Sequence, residues 1–245
     1  MRKLGVILLS GGLDSTTVAA IAQKQGYELM AITLNYGQKH VREIESAKKI
    51  ARAMNIKHEV VDISFFKKLA WYSALTSSNE FSIPESSLPQ ERIEEIPITY
   101  VPLRNTFFIT LAAAFLESEV LNLIERKKIS PGNLHASIFI AANAIDYSGY
   151  PDCRPEFYSQ MSQTLYLGSK LGTQYHLPIA IETPIISLTK AEIVRMSFEL
   201  KAPLELTWSC YTAGEKPCGK CDSCLIRAKG FSEARFQDPA LETKN

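Results

Sequence analysis

A short apolar run that passes through a glycine turn straight into a helix dominates the N-terminal end of this 245-residue chain. Leu4–Leu9, with its Val and Ile, has the length and composition of a fully buried strand, and Ser10-Gly11-Gly12 ends it. Asp14 or Ser15 can then open a helix that turns Val18, Ala19, Ile21 and Ala22 inward. The alternation continues with a strand at Leu29–Leu34, a charged helix from Val41 to Met54 and a strand at His58–Ile63. Strands separated by helices require right-handed crossovers, so the fold class is α/β: a mostly parallel sheet with helices on both faces.

Beyond this the pattern loosens. Ser73–Pro97 is rich in Ser, Glu and Pro without a period and reads as a long surface loop. A short strand is expected at Thr99–Pro102, an apolar helix at Asn105–Leu116 and a strand at Leu134–Ala141. Proline opens a helix over Pro155–Leu171, and Ile179–Ile181 suits a last short strand. Thr189 and Glu192 stand at the N-cap and third positions of a capping box. From Ala202 the composition shifts to Cys, Gly, Lys and Pro, which divides the chain into a domain over 1–201 and a small metal-tied appendage over 202–245.

Composition excludes several classes. Lys and Arg number 27 against 26 Asp and Glu, and a net charge of +1 argues against a protein that wraps a polyphosphate backbone. No uninterrupted apolar run reaches the roughly 18 residues of a membrane span, and Met1–Leu9 is short for a secretory signal. The expectation is a soluble, cytoplasmic protein with no nucleic-acid or membrane partner.

Ser10-Gly11-Gly12-Leu13-Asp14-Ser15-Thr16 stands where strand meets helix. Glycines allow close backbone approach there, and the free N–H groups and dipole of the helix start favour an anion such as phosphate. Ser10, Ser15 and Thr16 add hydroxyl donors. The run is neither GxxxxGK[ST] nor GxGxxG. From the residues alone, a phosphate cradle and an ordinary capped turn both fit.

Four of the five cysteines, Cys210, Cys218, Cys221 and Cys224, crowd into one short stretch. A long chain with clustered thiols is a poor disulfide scaffold, and CxxC spacing turns two sulfurs toward one tetrahedral ion. An all-thiolate set suits a closed structural zinc site best, with an iron–sulfur cluster or a redox dithiol as the alternatives. Cys153 is the odd thiol and has the character of a small buried apolar residue.

Ser-Gly-Gly-x-Asp-Ser directly after the first strand resembles the pyrophosphate loop of the adenine-nucleotide α-hydrolase-like ATP pyrophosphatases, which are Rossmann-like. That resemblance implies ATP cleavage between the α and β phosphates, with Leu9, Ser10, Gly11, Gly12, Leu13, Asp14, Ser15, Thr16, Thr17, Val18 and Ala19 forming the ATP site. Val101-Pro102-Leu103-Arg104-Asn105, the run Asp146-Tyr147-Ser148-Gly149-Tyr150-Pro151-Asp152-Cys153-Arg154-Pro155-Glu156-Phe157 and the cysteine tail together resemble the 7-cyano-7-deazaguanine synthase family of queuosine biosynthesis. The resemblance implies conversion of 7-carboxy-7-deazaguanine and ammonia to the nitrile, driven by ATP. It also implies one structural Zn²⁺ per subunit, Mg²⁺ with ATP, and a homodimer. Glu117–Asn133 is more elaborate than the family pattern, and Ile140-Ala141-Ala142-Asn143 lacks a glycine usual before the central run.

Each remaining residue has two readings. Arg104 is a solvated charge, or a clamp for ATP or the substrate carboxylate. Lys190, at a helix start, matches a phosphate partner of related enzymes, and with Arg104 and Asp14 it completes the expected catalytic set. Asp146 and Asp152 suit turns, or accept hydrogen bonds from a guanine-like edge; Tyr147 and Tyr150 pack in the core or stack on the base. Asp146, Tyr150, Asp152 and Arg154 are the candidate substrate contacts. Gln38 and His40 are placed to border the ATP cleft, and His40, His58, His135 and His176 form no spacing cluster. A tRNA thiolase would need a nucleic-acid surface that the balanced charge does not offer. A glutamine-dependent synthetase would need a glutaminase domain, for which 245 residues leave no room. A zinc-ribbon binding module would need a basic, aromatic tail, whereas Lys216, Lys220 and Arg227 alternate with Glu215, Asp222 and Glu233.

Overall fold

The computed structural model describes residues 1–36, 41–76, 80–81, 96–143, 150–211, 214 and 216–241. Five strands form one parallel sheet: β1 (Arg2–Leu8), β2 (Glu28–Asn35), β3 (Lys57–Asp62), β4 (Leu134–Phe139) and β5 (Ile179–Glu182), in the order β3-β2-β1-β4-β5. The register pairs Val6 with Met30 on one side and with Ile138 on the other. Side chains alternate across the sheet, so each central strand feeds two cores. Leu4 and Val6 of β1 point to one face with Met30, Ile32, Ala136 and Ile138; Ile7, Leu9, Ala31 and Phe139 point to the other.

The first face is covered by α4 (Arg104–Leu121), α5 (Pro155–Gly168) and α6 (Lys170–Tyr175). The second is covered by α1 (Leu13–Lys24), α2 (Val41–Ala53), α7 (Lys190–Glu199) and α8 (Asp222–Ala234). A short α3 (Phe66–Leu69) packs Phe66 on Phe107 with ring centroids 4.9 Å apart. The edge strand β3 is largely solvated, whereas β1 is buried between neighbours.

Most elements fall where the sequence pattern predicts them, and the exceptions have local causes. Thr99–Pro102 is a turn, not a strand: Tyr100 N–H donates to Pro97 O and Arg104 N–H to Val101 O. Pro97 and Pro102 carry no N–H for a sheet ladder. The single helix expected over Pro155–Leu171 is two helices, because Ser169 leaves the helical conformation and its Oγ accepts from Gly172 N–H at 3.1 Å. A side chain at Gly172 would collide with the Tyr166 carbonyl, so this junction requires glycine. The helix expected at Asn105–Leu116 runs on to Leu121 and then widens into a π turn over Asn122–Arg126, which accounts for much of the elaborated 117–133 region. The long-loop reading of 73–97 lies mostly outside the described residues.

By length and composition the stretch Arg104–Arg126 is apolar enough to cross a bilayer. It is a core helix instead: Ile109, Ala112, Leu116 and Val120 are fully buried against the sheet. Replacing Leu116, 0 % exposed, by Ala should therefore destabilise the protein by about 2–5 kcal/mol in urea unfolding. Leu167 on α5 is 73 % exposed, and Leu167→Ala should shift stability by less than about 0.5 kcal/mol. Equal effects would contradict the core assignment of α4.

Candidate functional site

The strand order reverses at β1, which leads to β2 on one side and lies against β4 on the other. Open parallel sheets bind ligands at the carboxyl ends of the strands beside such a reversal. The loop after β1 and residues 140–143 after β4 both enter a cleft there. The cleft has two adjoining chambers of about 340 and 190 Å³, and Ser10, Ser15, Glu43, Ala141 and Tyr211 line both.

The smaller chamber carries Asp14, Lys190 and Arg227 on its walls. Gly12 is the N-cap of α1 and offers no side chain, so no side-chain cap engages the first-turn N–H groups of that helix. The chain's own hydroxyls shape the loop: Ser10 and Ser15 Oγ lie 2.9 Å apart, and Gly12 N–H donates to Ser10 Oγ at 3.3 Å. Gly11 has φ +87°, and a Cβ there would collide with the Glu43 carbonyl and sit 2.8 Å from Ala47 N. Thus the loop presses against α2 at a point where only glycine fits.

Lys190 opens α7 through the expected capping box and donates to both Asp14 oxygens at 2.8 Å. Gly230 of α8 makes room for it, since a side chain there would strike Lys190 Cγ. The segment after α7 closes this chamber. Trp208 N–H donates to Gly11 O at 2.9 Å, and Trp208 also stacks under the Arg42 guanidinium, 5.0 Å from the ring centre. Arg227 is buried at the wall, held by Asp238 at 2.6 and 2.9 Å and by Ser209 and Thr207. Lys190, Arg227 and the uncapped helix end give this chamber the donors that an oligophosphate requires.

The larger chamber is mostly apolar, with Leu34, Phe108, Ile140 and Ala142 on its walls and Arg104, Tyr150 and Cys153 at one end. Burial works against the Arg104 charge, yet the surrounding Tyr36, Tyr150, Asp152 and Cys153 raise its pKa overall. Tyr150 Oη lies 2.8 Å from Thr99 Oγ1. Cys153 is buried and its thiol is pushed up, so it stays protonated at neutral pH.

The expected site residues separate accordingly. Leu9, Ser10, Gly12, Leu13, Asp14 and Ser15 reach the chambers, whereas Thr16, Thr17, Val18 and Ala19 are fully buried. Thr17 Oγ1 pairs with Leu13 O and with Ser197 Oγ at 2.6 Å. Asp152 stands behind Arg104, off both chamber walls, where its Oδ2 accepts Asn105 N–H at 3.1 Å and so caps α4 across the fold. Arg154 is exposed and donates to Pro151 O. Asp146, Tyr147, Gln38 and His40 lie outside the described residues. His58 is structural, with Nε2 2.7 Å from Thr33 Oγ1.

Glu43 is the residue that the sequence reading missed. Its carboxyl group is largely buried between the chambers; burial pushes it up to about 7 while Arg104 pulls it down. The available signal was periodicity, because Glu43, Ala47, Ile50 and Ala51 share one helical stripe and the last three are fully buried.

The four cysteine sulfurs all lie within 4.8 Å of one another. Cys218 N–H points at Cys210 Sγ, and the N–H groups of Lys220 and Cys221 point at Cys218 Sγ, which holds that thiol down at about 6. A tetrahedral ion with bonds of ~2.3 Å sets its sulfurs ~3.8 Å apart, so the cluster can hold a metal with little movement.

A raised carboxyl pKa costs stability. Below pH 4.5, Glu43 is protonated in both folded and unfolded chains; between 4.5 and about 7 only the unfolded chain ionises, so stability falls as pH rises. Glu43→Gln removes that loss. The variant should gain about 1–3 kcal/mol over wild type at pH 8 and converge with it below pH 4.5 in denaturant titrations. A pH-independent difference would contradict the burial of an ionisable Glu43.

Residues 4–235 match the model of the family described as queuosine biosynthesis protein QueC. The chain is 47 % identical over 238 residues to the 7-cyano-7-deazaguanine synthase of Thermoplasma acidophilum, covering 97 % of this chain and 91 % of that one. It is 43 % identical to the 7-cyano-7-deazaguanine synthase of Oceanobacillus iheyensis, covering 97 % of each. Among solved structures it is similar to a predicted subunit of tRNA methyltransferase from Methanocaldococcus jannaschii, with TM-score 0.45, 16 % identity and 81 and 75 % of the two chains covered; a likeness of that degree carries no functional argument. The match across nearly the whole chain, together with the loop, the cleft and the cysteine cluster, makes this chain a member of the QueC family.

Proposed function

We propose that the protein is an ATP-dependent carbon–nitrogen ligase that converts 7-carboxy-7-deazaguanine and ammonia to 7-cyano-7-deazaguanine, with release of AMP and pyrophosphate. The observation that carries this reading is the joining of an oligophosphate chamber to an apolar chamber at the loop after β1, in a chain 47 % identical to a synthase of that name. A carboxylate resists ammonia because oxide is a poor leaving group. Transfer of AMP to the carboxylate supplies a better one. The first-turn N–H groups of α1, Lys190 and Arg227 would hold the departing pyrophosphate where its charge develops. Mg²⁺ bound with ATP would add charge neutralisation, and Asp14 is the carboxylate on this chamber that would face it.

Arg104 would orient the acid in the larger chamber, with Tyr150 beside the base and Asp152 fixing the start of α4. Ammonia attack gives an amide, and a second adenylation of the amide oxygen leads to the nitrile. The cysteine quartet suits one structural Zn²⁺, because an all-thiolate set has no open position. Residues 1–201 form the ATP-pyrophosphatase domain in this reading, and 202–245 a zinc-binding subdomain whose Trp208 and Arg227 close the phosphate chamber. A homodimer in the cytoplasm completes this reading, and the exposed apolar side chains of Phe65, Leu69 and Trp71 support the dimer.

Incubation with the acid, ATP, Mg²⁺ and ammonium should yield the nitrile with two AMP per product. ADP as the main nucleotide would contradict the proposal. Asp14→Ala removes the carboxylate that positions Lys190 and should lower turnover about 10²–10³-fold with unchanged circular dichroism. Elemental analysis should find one zinc per chain, lost in Cys218→Ser and kept in Cys153→Ser; iron, or soluble active protein without metal, would contradict the structural zinc site.

A further inference from the structure

We propose that Glu43 is the general base of the amination and dehydration steps, taking protons from the nitrogen as it becomes a nitrile. The inference rests on the function proposed above. Ammonia carries three N–H bonds and a nitrile nitrogen none, so every proton must leave in the cleft. Attack of ammonia on the acyl adenylate forms the C–N bond; one proton passes to the Glu43 carboxylate and AMP departs with the broken C–O bond. The amide oxygen then attacks the α-phosphorus of a second ATP and displaces pyrophosphate as a second N–H proton leaves. Loss of the last proton and of the second AMP closes the C≡N bond. Atoms balance with no oxidant or reductant, and Glu43 returns each proton to solvent between steps.

Geometry selects this residue. The transferred AMP joins the phosphate chamber to the substrate chamber, so the reacting carbon lies at their boundary, and among the described residues Glu43 is the one carboxylate that lines both. The contact of its carbonyl with Gly11 fixes its helix against the pyrophosphate loop. The other described candidates are engaged or protonated. Both Asp14 oxygens hold Lys190, and Asp152 Oδ2 holds Asn105 N–H away from the chambers. Tyr36, Tyr150 and Cys153 are pushed up by burial and keep their protons. Among the described residues, the charged and titratable groups facing the Glu43 chambers are Arg104, Asp14, Lys190 and Arg227, besides those three and Tyr211. A carboxyl that titrates near neutrality is matched to such proton transfers.

The test separates activation from amination. Acid-dependent ATP–pyrophosphate exchange is measured without ammonium, and nitrile formation at saturating ammonium, for wild type, Glu43→Gln and Glu43→Asp. Glu43→Gln should lower nitrile formation about 10²–10⁴-fold while its exchange stays within about threefold of wild type, and Glu43→Asp should recover at least about tenfold over Gln. Exchange that falls in step with product formation would overturn the proposal, since Glu43 would then serve nucleotide or acid binding. Nitrile formation within about threefold of wild type would overturn it too. Wild type without any exchange would instead remove the adenylating function itself, and the proposal with it.

Discussion

The site is organised by a close approach at Gly11. Its missing side chain lets the carbonyl of Glu43 and the amide of Ala47 come within a distance that any Cβ would forbid, while its own carbonyl takes the Trp208 N–H at 2.9 Å. Three parts of the chain far apart in sequence thereby meet on one residue: the loop after β1, the second helix and the segment that leads to the cysteine cluster. A positive φ of +87° adds a backbone reason for glycine at the same point. The shape of the smaller chamber, the position of Glu43 and the closure by Trp208 follow from this packing.

Charge is arranged around that contact with opposing consequences. Lys190 and Asp14 form a pair with bidentate geometry, and Arg227 with Asp238 forms a second, more deeply buried one. Each cation has a carboxylate, so the cationic wall is tolerated before any anion enters. Glu43 is different, because burial disfavours its charge and Arg104 only partly offsets this. A carboxyl held in that condition lowers stability above its ordinary pKa, which is the expected signature of a group kept for chemistry.

Local pattern carried most of the fold, because alternation of short apolar runs with amphipathic helices leaves few topologies. The glycine turn after β1 and the cysteine quartet were legible for a similar reason: each lies within one short stretch of sequence. What stayed hidden depends on long-range contacts. Asp152 caps a helix by accepting the N–H of Asn105, 47 positions earlier, and nothing near it in sequence distinguishes that from a turn or a substrate contact. Thr16 to Ala19 follow the loop directly, yet the helical turn carries them into the core. Glu43 sits in a charged helix beside Arg42 and Glu45, and only the buried stripe it shares with Ala47 and Ile50 marks it. The tail also proved closer to the core than its composition suggested, since Phe231 and Ala234 pack with α1 and α7.

The central claim is that the carboxylate is activated by adenylation at the loop after β1. It is tested most directly by following oxygen. With both carboxyl oxygens of the acid labelled by ¹⁸O, each C–O bond that breaks must leave its label on the phosphate of AMP. Mass spectrometry of the nucleotides under excess ammonium should therefore find one label in each of two AMP molecules per nitrile. Unlabelled AMP, or label in inorganic phosphate with ADP released, would contradict the account.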